Sequence, residues 1–288
     1  CRAKYLFIKL RRFFLPVLEV FAIIGNKRGI IMPFYDFFMA DAWEGDFAYT
    51  AIHWVSFAVV AAIAVALAFI AGSKRISDRA KNNTIIAVAV FQIVFEVGWR
   101  ILYLYKGNKF LSLWPFYPCN LADFLLPIAL LIKNEKMKDC FYLFGFIGGV
   151  ITFVYPVGIF ITPYLQFSVL KSILQHTGII FIPVFEYVRG TYRPRLEKFG
   201  YVLLGLIIHV ANSYGLSTVF GYPGDYMYLD SGLPFVIPGV PQFITMGVFA
   251  ILILFLVNWA LDYKGVSRIL QARRERGKSA ALRDGTAR

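Results

Sequence analysis

The sequence predicts an all-α fold: a polytopic membrane helical bundle of about seven transmembrane helices, preceded by an interfacial amphipathic helix. The chain has 288 residues, of which 59% are hydrophobic and only 16% are charged. This composition is too apolar for a soluble domain of such length. The apolar residues also fall into seven runs of about 20 residues, the length of a helix that crosses a bilayer. Unpaired backbone groups are costly in lipid, so runs of this kind are expected to be helical.

Three segments follow along the chain. Residues 1–48 are expected to form an N-terminal interfacial, extracytoplasmic segment, because charged and polar residues interrupt its apolar stretch. Residues 49–263 form the transmembrane bundle, and residues 264–288 form a basic cytoplasmic tail. The spans are predicted near residues 50–72, 84–105, 114–132, 140–162, 168–188, 198–220 and 242–262.

The formal net charge of +13 fits a membrane protein better than a nucleic-acid-binding protein. Lys and Arg gather in the first, third and fifth loops between the predicted spans and in the tail. Cytoplasmic loops of membrane proteins carry such an excess of positive charge. We therefore expect an integral protein of the plasma (cytoplasmic) membrane, with its C-terminus in the cytoplasm and no nucleic-acid partner. The oligomeric state is not predicted.

The cysteines give no indication of a metal site or of a disulfide framework. There are three, at Cys1, Cys119 and Cys140, and their spacing matches no metal-ligand pattern. We expect neither a metal nor a cofactor.

Polar side chains within the predicted spans are the candidate functional residues, because such groups are costly in lipid and commonly mark function. Two pairs stand four residues apart, on one helix face each: Glu96 with Arg100, and Cys119 with Asp123. At a rise of about 1.5 Å per residue, the candidates fall in one layer in the outer half of the membrane, which suggests a single pocket. The full set is Glu96, Arg100, Tyr117, Cys119, Asn120, Asp123, His176, His209 and Asn212.

A cysteine and a histidine in one polar layer suggest nucleophilic catalysis. A buried thiol is inert unless a partner takes its proton, and an imidazole held by a third polar group can do so. Cys119 and His176 would supply the first two roles, and Asp123, Asn212 or His209 the third. Tyr117 and Asn120 carry donors for an oxyanion. The electrophile available within a bilayer is a lipid ester, so the implied reaction is acyl transfer through a thioester.

Other interpretations of the same residues stay open. Cys119 alone is commonly a packing residue, and Glu96 with Arg100 can be a structural ion pair. A polytopic transporter or solute-binding protein could use the intramembrane Glu, Arg and His side chains to bind a solute or relay protons. A membrane scaffold without chemistry is the third possibility. Transport predicts that Glu96→Gln or Arg100→Ala abolishes flux while Cys119→Ala has no effect.

The order of motifs resembles that of a known family. "FQIVFEVGWRILYLY", "LWPFYPCNLADFLLPIALL", "ILQHTG", "HVANSYG" and the later "GYPGDYMYL" resemble the YwaF-like family of bacterial integral membrane proteins, which includes the transmembrane protein 164 acyltransferase of animals. The chain is more distantly similar to the androgen-induced lipid hydrolases. The resemblance covers residues 50–262. It implies a Cys-dependent acyltransferase acting on membrane phospholipid and lysophospholipid, with Cys119 as the nucleophile and His176 as its partner.

Overall fold

The structure is a computed structural model that describes residues 37–38, 45–156, 158–222, 224–227, 237–272 and 275. Within these ranges the chain is helical and contains no β-strand, so the predicted all-α class is confirmed. Six segments are long and apolar enough to cross a membrane. The helices are α1 (Ala51–Gly72), α2 (Asp78–Tyr105), α3 (Pro118–Leu131), α4 (Glu135–Val154), α5 (Phe167–Arg189), α6 (Phe199–Val210, continued by Ala211–Leu216 and Ser217–Val219) and α7 (Gln242–Leu261).

The third predicted span is shorter in the structure than in the sequence-based prediction. Residues 114–132 were expected to be helical throughout, but α3 has 14 residues and begins only at Pro118. A residue before proline avoids the helical conformation, and both Trp114 and Tyr117 precede a proline and are extended. At about 1.5 Å per residue α3 is about 21 Å long, less than the hydrocarbon thickness of about 30 Å. The long apolar helices therefore number six in the described chain, and α3 is the shorter seventh.

Other helix ends also differ from the prediction, among them the start of α4, which lies at Glu135 rather than near residue 140. Two of the differences have local reasons. Helix α2 begins at Asp78 rather than near residue 84, because Ser77 caps it by accepting a hydrogen bond from the Ala80 amide. Helix α4 ends at Val154 rather than at residue 162. Pro156 follows two residues later, and a proline cannot continue the helical hydrogen bonding.

The chain divides into two compact units, Cys1–Ala62 with Thr152–Leu174 and Ile63–Ile151 with Gln175–Arg288. In the described part of the first unit, His53 is fully buried. Its Nδ1 accepts a hydrogen bond from the Tyr49 amide at 3.0 Å, so its Nε2 carries the proton and donates to the Phe153 carbonyl at 2.9 Å. This imidazole fastens the start of α1 to the end of α4.

The second unit holds its core between α2, α3, α4 and α5. Large side chains such as Leu126, Tyr142 and Phe185 are fully buried there. A smaller apolar cluster joins α4, α6 and α7 through Leu143, Leu206 and neighbouring side chains. All nine candidate residues from the sequence belong to this unit.

Ion pairs gather at the end of the second unit where α4 and α6 begin. Lys138 binds Glu186 of α5 at 2.8 Å, and Lys198 binds Asp139 at 2.5 Å. Beyond α7, Asp262 accepts hydrogen bonds from Arg268 and from the Leu196 amide. The charged groups thus tie four chain segments together at one end of the bundle.

Two predicted segments lie mainly outside the described residues. The interfacial helix within 1–48 and most of the basic tail 264–288 fall there, although residues 265–272 are helical. The sidedness of the loops stays a prediction.

Close packing of α6 on α4 predicts a sensitive glycine. A Cβ at Gly205 would overlap the Cys140 carbonyl, whereas a Cβ at Gly200 in the same helix would meet nothing within 4 Å. We expect Gly205→Ala to lower stability by about 3 kcal/mol through overpacking, and Gly200→Ala to be neutral or slightly stabilising. Thermal unfolding of both purified variants in detergent tests this. Equal melting temperatures would contradict the close approach of α4 and α6.

The Asp262 contacts predict a pH-dependent contribution to stability. Burial tends to raise the pKa of Asp262, but the hydrogen bonds from Arg268 and the Leu196 amide outweigh burial and lower it. A lowered pKa stabilises the fold above the ordinary value of about 3.9, and the gain is lost as pH falls through the lowered value. Arg268→Gln should therefore lower the melting temperature at neutral pH.

The matched control for this charge removal is Arg193→Gln, since the Arg193 guanidinium lies over the Tyr187 ring. It should change the melting temperature less at neutral pH. The Arg268→Gln deficit should shrink as pH falls below about 4. Arg268 also binds Glu197 at 2.8 Å, so a deficit that stays constant down to acid unfolding would show that neither Asp262 nor Glu197 is the group responsible.

Candidate functional site

The start of α3 is held by side chains of α6. Residues 114–117 approach α3 without forming a helix. The Trp114 and Tyr117 carbonyls accept from the Phe116 and Leu121 amides, whereas those of Pro115 and Phe116 need partners from elsewhere. Asn212 Nδ2 donates to the Pro115 carbonyl at 2.7 Å, and Ser213 Oγ donates to the Phe116 carbonyl at 2.7 Å. The indole Nε1 of Trp114 donates to Asn212 Oδ1 at 2.7 Å. Helix α6 therefore fixes where α3 begins.

A wide turn in α6 makes these contacts possible. Residues Ala211–Leu216 form a π-helix, which has more residues per turn than an α-helix. In this turn the consecutive residues Asn212 and Ser213 both reach the segment before α3. The hydroxyl groups of Ser217 and Thr218 bond to the carbonyls of Ser213 and Tyr214 at 2.5 and 2.7 Å. These bonds supply partners for backbone groups of the altered turn.

The first turn of α3 contacts α5 at the candidate residues. Cys119 and Asn120 are the second and third residues of α3. Gln175 Nε2 donates to Asn120 Oδ1 at 2.8 Å, and Gln175 directly precedes His176. The Cys119 Sγ is itself 3.9 Å from Asn120 Oδ1. The contact between α3 and α5 is thus made by residues adjacent in sequence to Cys119 and His176, which are half-buried and buried.

A second polar contact lies about one helical turn further along α3 and α5. Gln92 of α2 donates to Asp123 Oδ1, and both side chains are buried. A Cβ at Gly178 of α5 would strike the Gln92 amide at 2.6 Å, so the glycine leaves room for it. Helices α2, α3 and α5 therefore meet around one buried amide and one buried carboxylate.

The predicted pair of Glu96 and Arg100 forms on α2. Arg100 Nη2 donates to Glu96 Oε1 at 2.6 Å, with the Glu96 side chain fully buried and that of Arg100 16% exposed. The Arg100 guanidinium also lies over the Phe124 ring, 5.2 Å from its centre. Its buried Nε has no hydrogen-bond partner among the residues that the structure describes.

A cavity of about 320 Å³ opens beside these residues. Arg100 and Asn120 line it with a guanidinium and an amide, and its tyrosines carry hydroxyl groups. Aromatic side chains form most of its wall, namely Trp99, Tyr103, Trp114, Phe116, Tyr117, Tyr222 and Tyr226. Tyr226 packs edge-on against Tyr117, and its hydroxyl donates to the Tyr222 carbonyl at 2.9 Å. Tyr117 and Asn120 lie on either side of Cys119 in sequence, so the cavity reaches the residues around the candidate thiol. We call it the aromatic cavity.

His209 and Asn212 were considered as groups that orient the His176 imidazole, but the structure gives both of them other contacts. His209 Nδ1 hydrogen-bonds to the Gly205 carbonyl at 2.8 Å, and its ring packs against Phe141 and Phe144 of α4. Asn212 is engaged by the segment before α3. Among the three groups considered for orienting the His176 imidazole, only Asp123 lies at the α2–α3–α5 contact.

Sequence reasoning did not single out Gln92, Gln175 or Ser213. Gln92 stands four residues before Glu96 and so shares the face of the ion pair. Gln175 adjoins His176 inside an apolar run. Both are polar groups within a span, and that signal could have identified them. Ser213 carries no comparable signal, because its role depends on the π-helical turn.

The six long apolar helices, with polar groups buried between them, define a polytopic integral membrane protein. The model of the TMEM164 family matches residues 48–259. The chain therefore belongs to the TMEM164 family, and the resemblance drawn from the sequence motifs is confirmed. No curated protein and no solved structure gives a significant match.

The clamp on the start of α3 predicts unequal effects at two buried asparagines. Asn212→Ala removes hydrogen bonds to Trp114 and Pro115 and should cost about 2 kcal/mol of stability, since buried polar groups lose their partners. Asn258 of α7 is the matched control. It is fully buried, and within the described chain neither of its side-chain polar atoms has a hydrogen-bond partner.

Asn258→Ala should therefore cost far less than Asn212→Ala. Thermal unfolding in detergent gives both values. The rate at which a small thiol reagent modifies Cys119 gives a second measurement, and it should rise only in Asn212→Ala. Equal losses and equal rates in the two variants would show that the clamp does not hold α3.

Proposed function

We propose that this protein is an intramembrane acyltransferase that moves acyl chains between phospholipids through a thioester on Cys119, with His176 as the general base. One observation carries the proposal. The hydrogen bond between Gln175 and Asn120 joins α3 to α5 at the residues adjacent to the two reactive groups. Membership of the TMEM164 family and the cavity beside Cys119 support it further.

The first half of the reaction forms the thioester. The His176 imidazole takes the thiol proton, and the Cys119 thiolate attacks the ester carbonyl of a phospholipid. The tetrahedral intermediate carries its negative charge on the former carbonyl oxygen. Its collapse breaks the bond to the glycerol oxygen, and the imidazolium returns the proton to that oxygen. A lysophospholipid leaves, and the acyl chain stays on sulfur.

The second half reverses these steps with a different lipid. The hydroxyl of an acceptor lysophospholipid gives its proton to His176 and attacks the thioester carbonyl. The thiolate then leaves and regains its proton from the imidazolium. A new phospholipid forms, and the enzyme returns to its starting state without a cofactor. Water in place of the lysophospholipid would give hydrolysis.

The position of Cys119 in the first turn of α3 suits this chemistry. The N-terminus of a helix carries partial positive charge, which stabilises a thiolate or an oxyanion beside it. The amide groups in the first turn of a helix also lack partners within the helix and point out beyond its end. Tyr117 and Asn120 line the adjoining cavity and carry further donors for the oxyanion.

Cys119 and His176 are each expected to be required for labelling by a lipid-like thiol-reactive probe in native-like membranes. Cys119→Ala should abolish labelling, and His176→Ala should reduce it strongly, because the thiol then has no base. Cys140→Ala is the matched cysteine control, being a buried thiol on α4. His209→Phe is the matched histidine control, since it keeps a ring between Phe141 and Phe144. Both controls should label like the parent.

Acyl transfer is then measured with purified, reconstituted protein, using a phospholipid with an isotopically labelled chain and a lysophospholipid acceptor. Cys119→Ser and His176→Ala should each lower the rate by at least about a hundredfold. Full transfer by either variant would overturn the proposal. Labelling that does not depend on His176, with flux lost in Glu96→Gln, would favour the transport alternative instead.

A further inference from the structure

We infer that the aromatic cavity binds the phosphodiester of a glycerophospholipid head group, with the Arg100 guanidinium as the phosphate ligand. This inference rests on the proposed function, because it assigns the head-group position for the lipid whose ester would meet Cys119. Three features carry it: the cavity, the unpartnered donor of Arg100 and the charge around the ion pair.

Arg100 presents a donor that the described chain does not use. Its Nη2 donates to Glu96, while its Nε is buried and lacks a partner within the described chain. A buried donor without a partner costs about 1–3 kcal/mol, so such a group is retained where a ligand completes it. Guanidinium groups bind phosphate in a bidentate manner, through parallel N–H donors. Arg100 lines the cavity and its side chain is 16% exposed, so an anionic oxygen there can reach the exposed part of this side chain.

Among the described residues that line the cavity, the one formally charged side chain is that of Arg100, while the Asp225 carboxylate, which accepts a hydrogen bond from Tyr214, lies near Tyr117. Lys106 places its ammonium over the Trp99 ring, 5.4 Å from the ring centre, and Trp99 is part of the cavity wall. Glu96 is fully buried behind Arg100 and is not among the lining residues. The positive end of the pair therefore faces the cavity and the negative end does not.

The polar groups in the wall of the cavity suit a head group better than an acyl chain. A volume of about 320 Å³ lies within the usual range for small-molecule sites. The hydroxyls of Tyr103, Tyr117 and Tyr222 and the amide of Asn120 are polar groups suited to phosphate and glycerol oxygens. Because Tyr117 and Asn120 stand within two residues of Cys119 in the sequence, a lipid phosphate bound here would bring the glycerol esters towards the thiol.

The test compares two lipids of which only one carries a phosphodiester, together with the head-group glycerol that the phosphodiester links. Monooleoyl lysophosphatidylglycerol and monooleoylglycerol share an acyl chain and a glycerol. Binding is followed by quenching of tryptophan fluorescence, since Trp99 and Trp114 lie in the wall. The protein is the Cys119→Ala variant, which cannot form a thioester, and it is kept in nonionic detergent. The site with its ion pair intact should prefer the phosphodiester lipid by about tenfold, the effect of one charge-assisted contact.

The ion pair is varied so that no buried charge is left alone. Glu96→Gln/Arg100→Gln replaces both charges with neutral amides, so neither charge is left buried without its partner. The preference should fall to less than about twofold. Glu96→Gln alone keeps the guanidinium and should keep the preference. Arg193→Gln removes a guanidinium that lies over Tyr187 and should also keep it. An unchanged preference in the double variant would overturn the inference.

Competition distinguishes a lipid site from a site for free phosphate. Inorganic phosphate and glycerol phosphate are added as competitors, and neither should displace the lysolipid at millimolar concentration. Displacement by either would identify a site for free phosphate and overturn the lipid assignment.

A conservative variant keeps the inference testable if the double variant fails to fold. Arg100→Lys keeps the charge but lacks the Nε donor. The phosphodiester preference should then fall at least about threefold, because an ammonium cannot form the planar bidentate contact. An unchanged preference in Arg100→Lys would count against the inference.

The binding result and the acyl-transfer result are separable. Loss of transfer in Cys119→Ser with a tenfold phosphodiester preference supports both proposals. A preference that survives although Cys119→Ser transfers at full rate supports the head-group site alone. Absence of the preference in a protein that depends on Cys119 removes the head-group site and leaves the proposed function standing.

Discussion

The hydrogen bonds from Asn212 and Ser213 to the carbonyls of Pro115 and Phe116 are the interaction on which the site depends. Non-helical backbone is tolerated at membrane depth only where protein groups satisfy it. Without these two side chains the segment before α3 would leave carbonyl groups unpaired, and a helix starting at Pro118 would be costly. The wide turn of α6 is therefore a condition for placing Cys119 at a helix N-terminus.

The second unit separates its charges between its two ends. Where α4 and α6 begin, Lys138, Lys198 and Arg268 each meet a carboxylate. At the other end, where α2 ends and α3 begins, Glu96 pairs with Arg100 beside aromatic rings. Salt bridges at the first end join helix termini, so they stabilise the arrangement of helices. The second end has an open cavity, which is what a binding site requires.

The helices could be predicted from the sequence because a long apolar segment in lipid must satisfy its own backbone hydrogen bonds, which a helix does. The sequence was also sufficient for the pair of Glu96 and Arg100, whose spacing places both on one face. The late start of α3 was visible in the prolines 115 and 118 but was not inferred. The π-helical turn could not be predicted, since it depends on contacts with a segment about 97 residues away in sequence. The amide contacts of Gln92 and Gln175 likewise join residues that are distant in sequence, so they could not be predicted either.

The burial of Glu96 with Arg100 is the strongest physical reason to assign a ligand to this end of the unit. Removing both charges from water costs several kcal/mol per ion, and apolar replacements of similar volume are frequently as stable or more stable. Stability alone therefore does not explain the pair. Arginine in place of lysine adds a planar fork whose free donors can meet an oxyanion. The buried Nε has no acceptor within the described chain, so the pair does not satisfy all of its own donors. An ion pair retained for stability alone would instead be expected to satisfy its own donors.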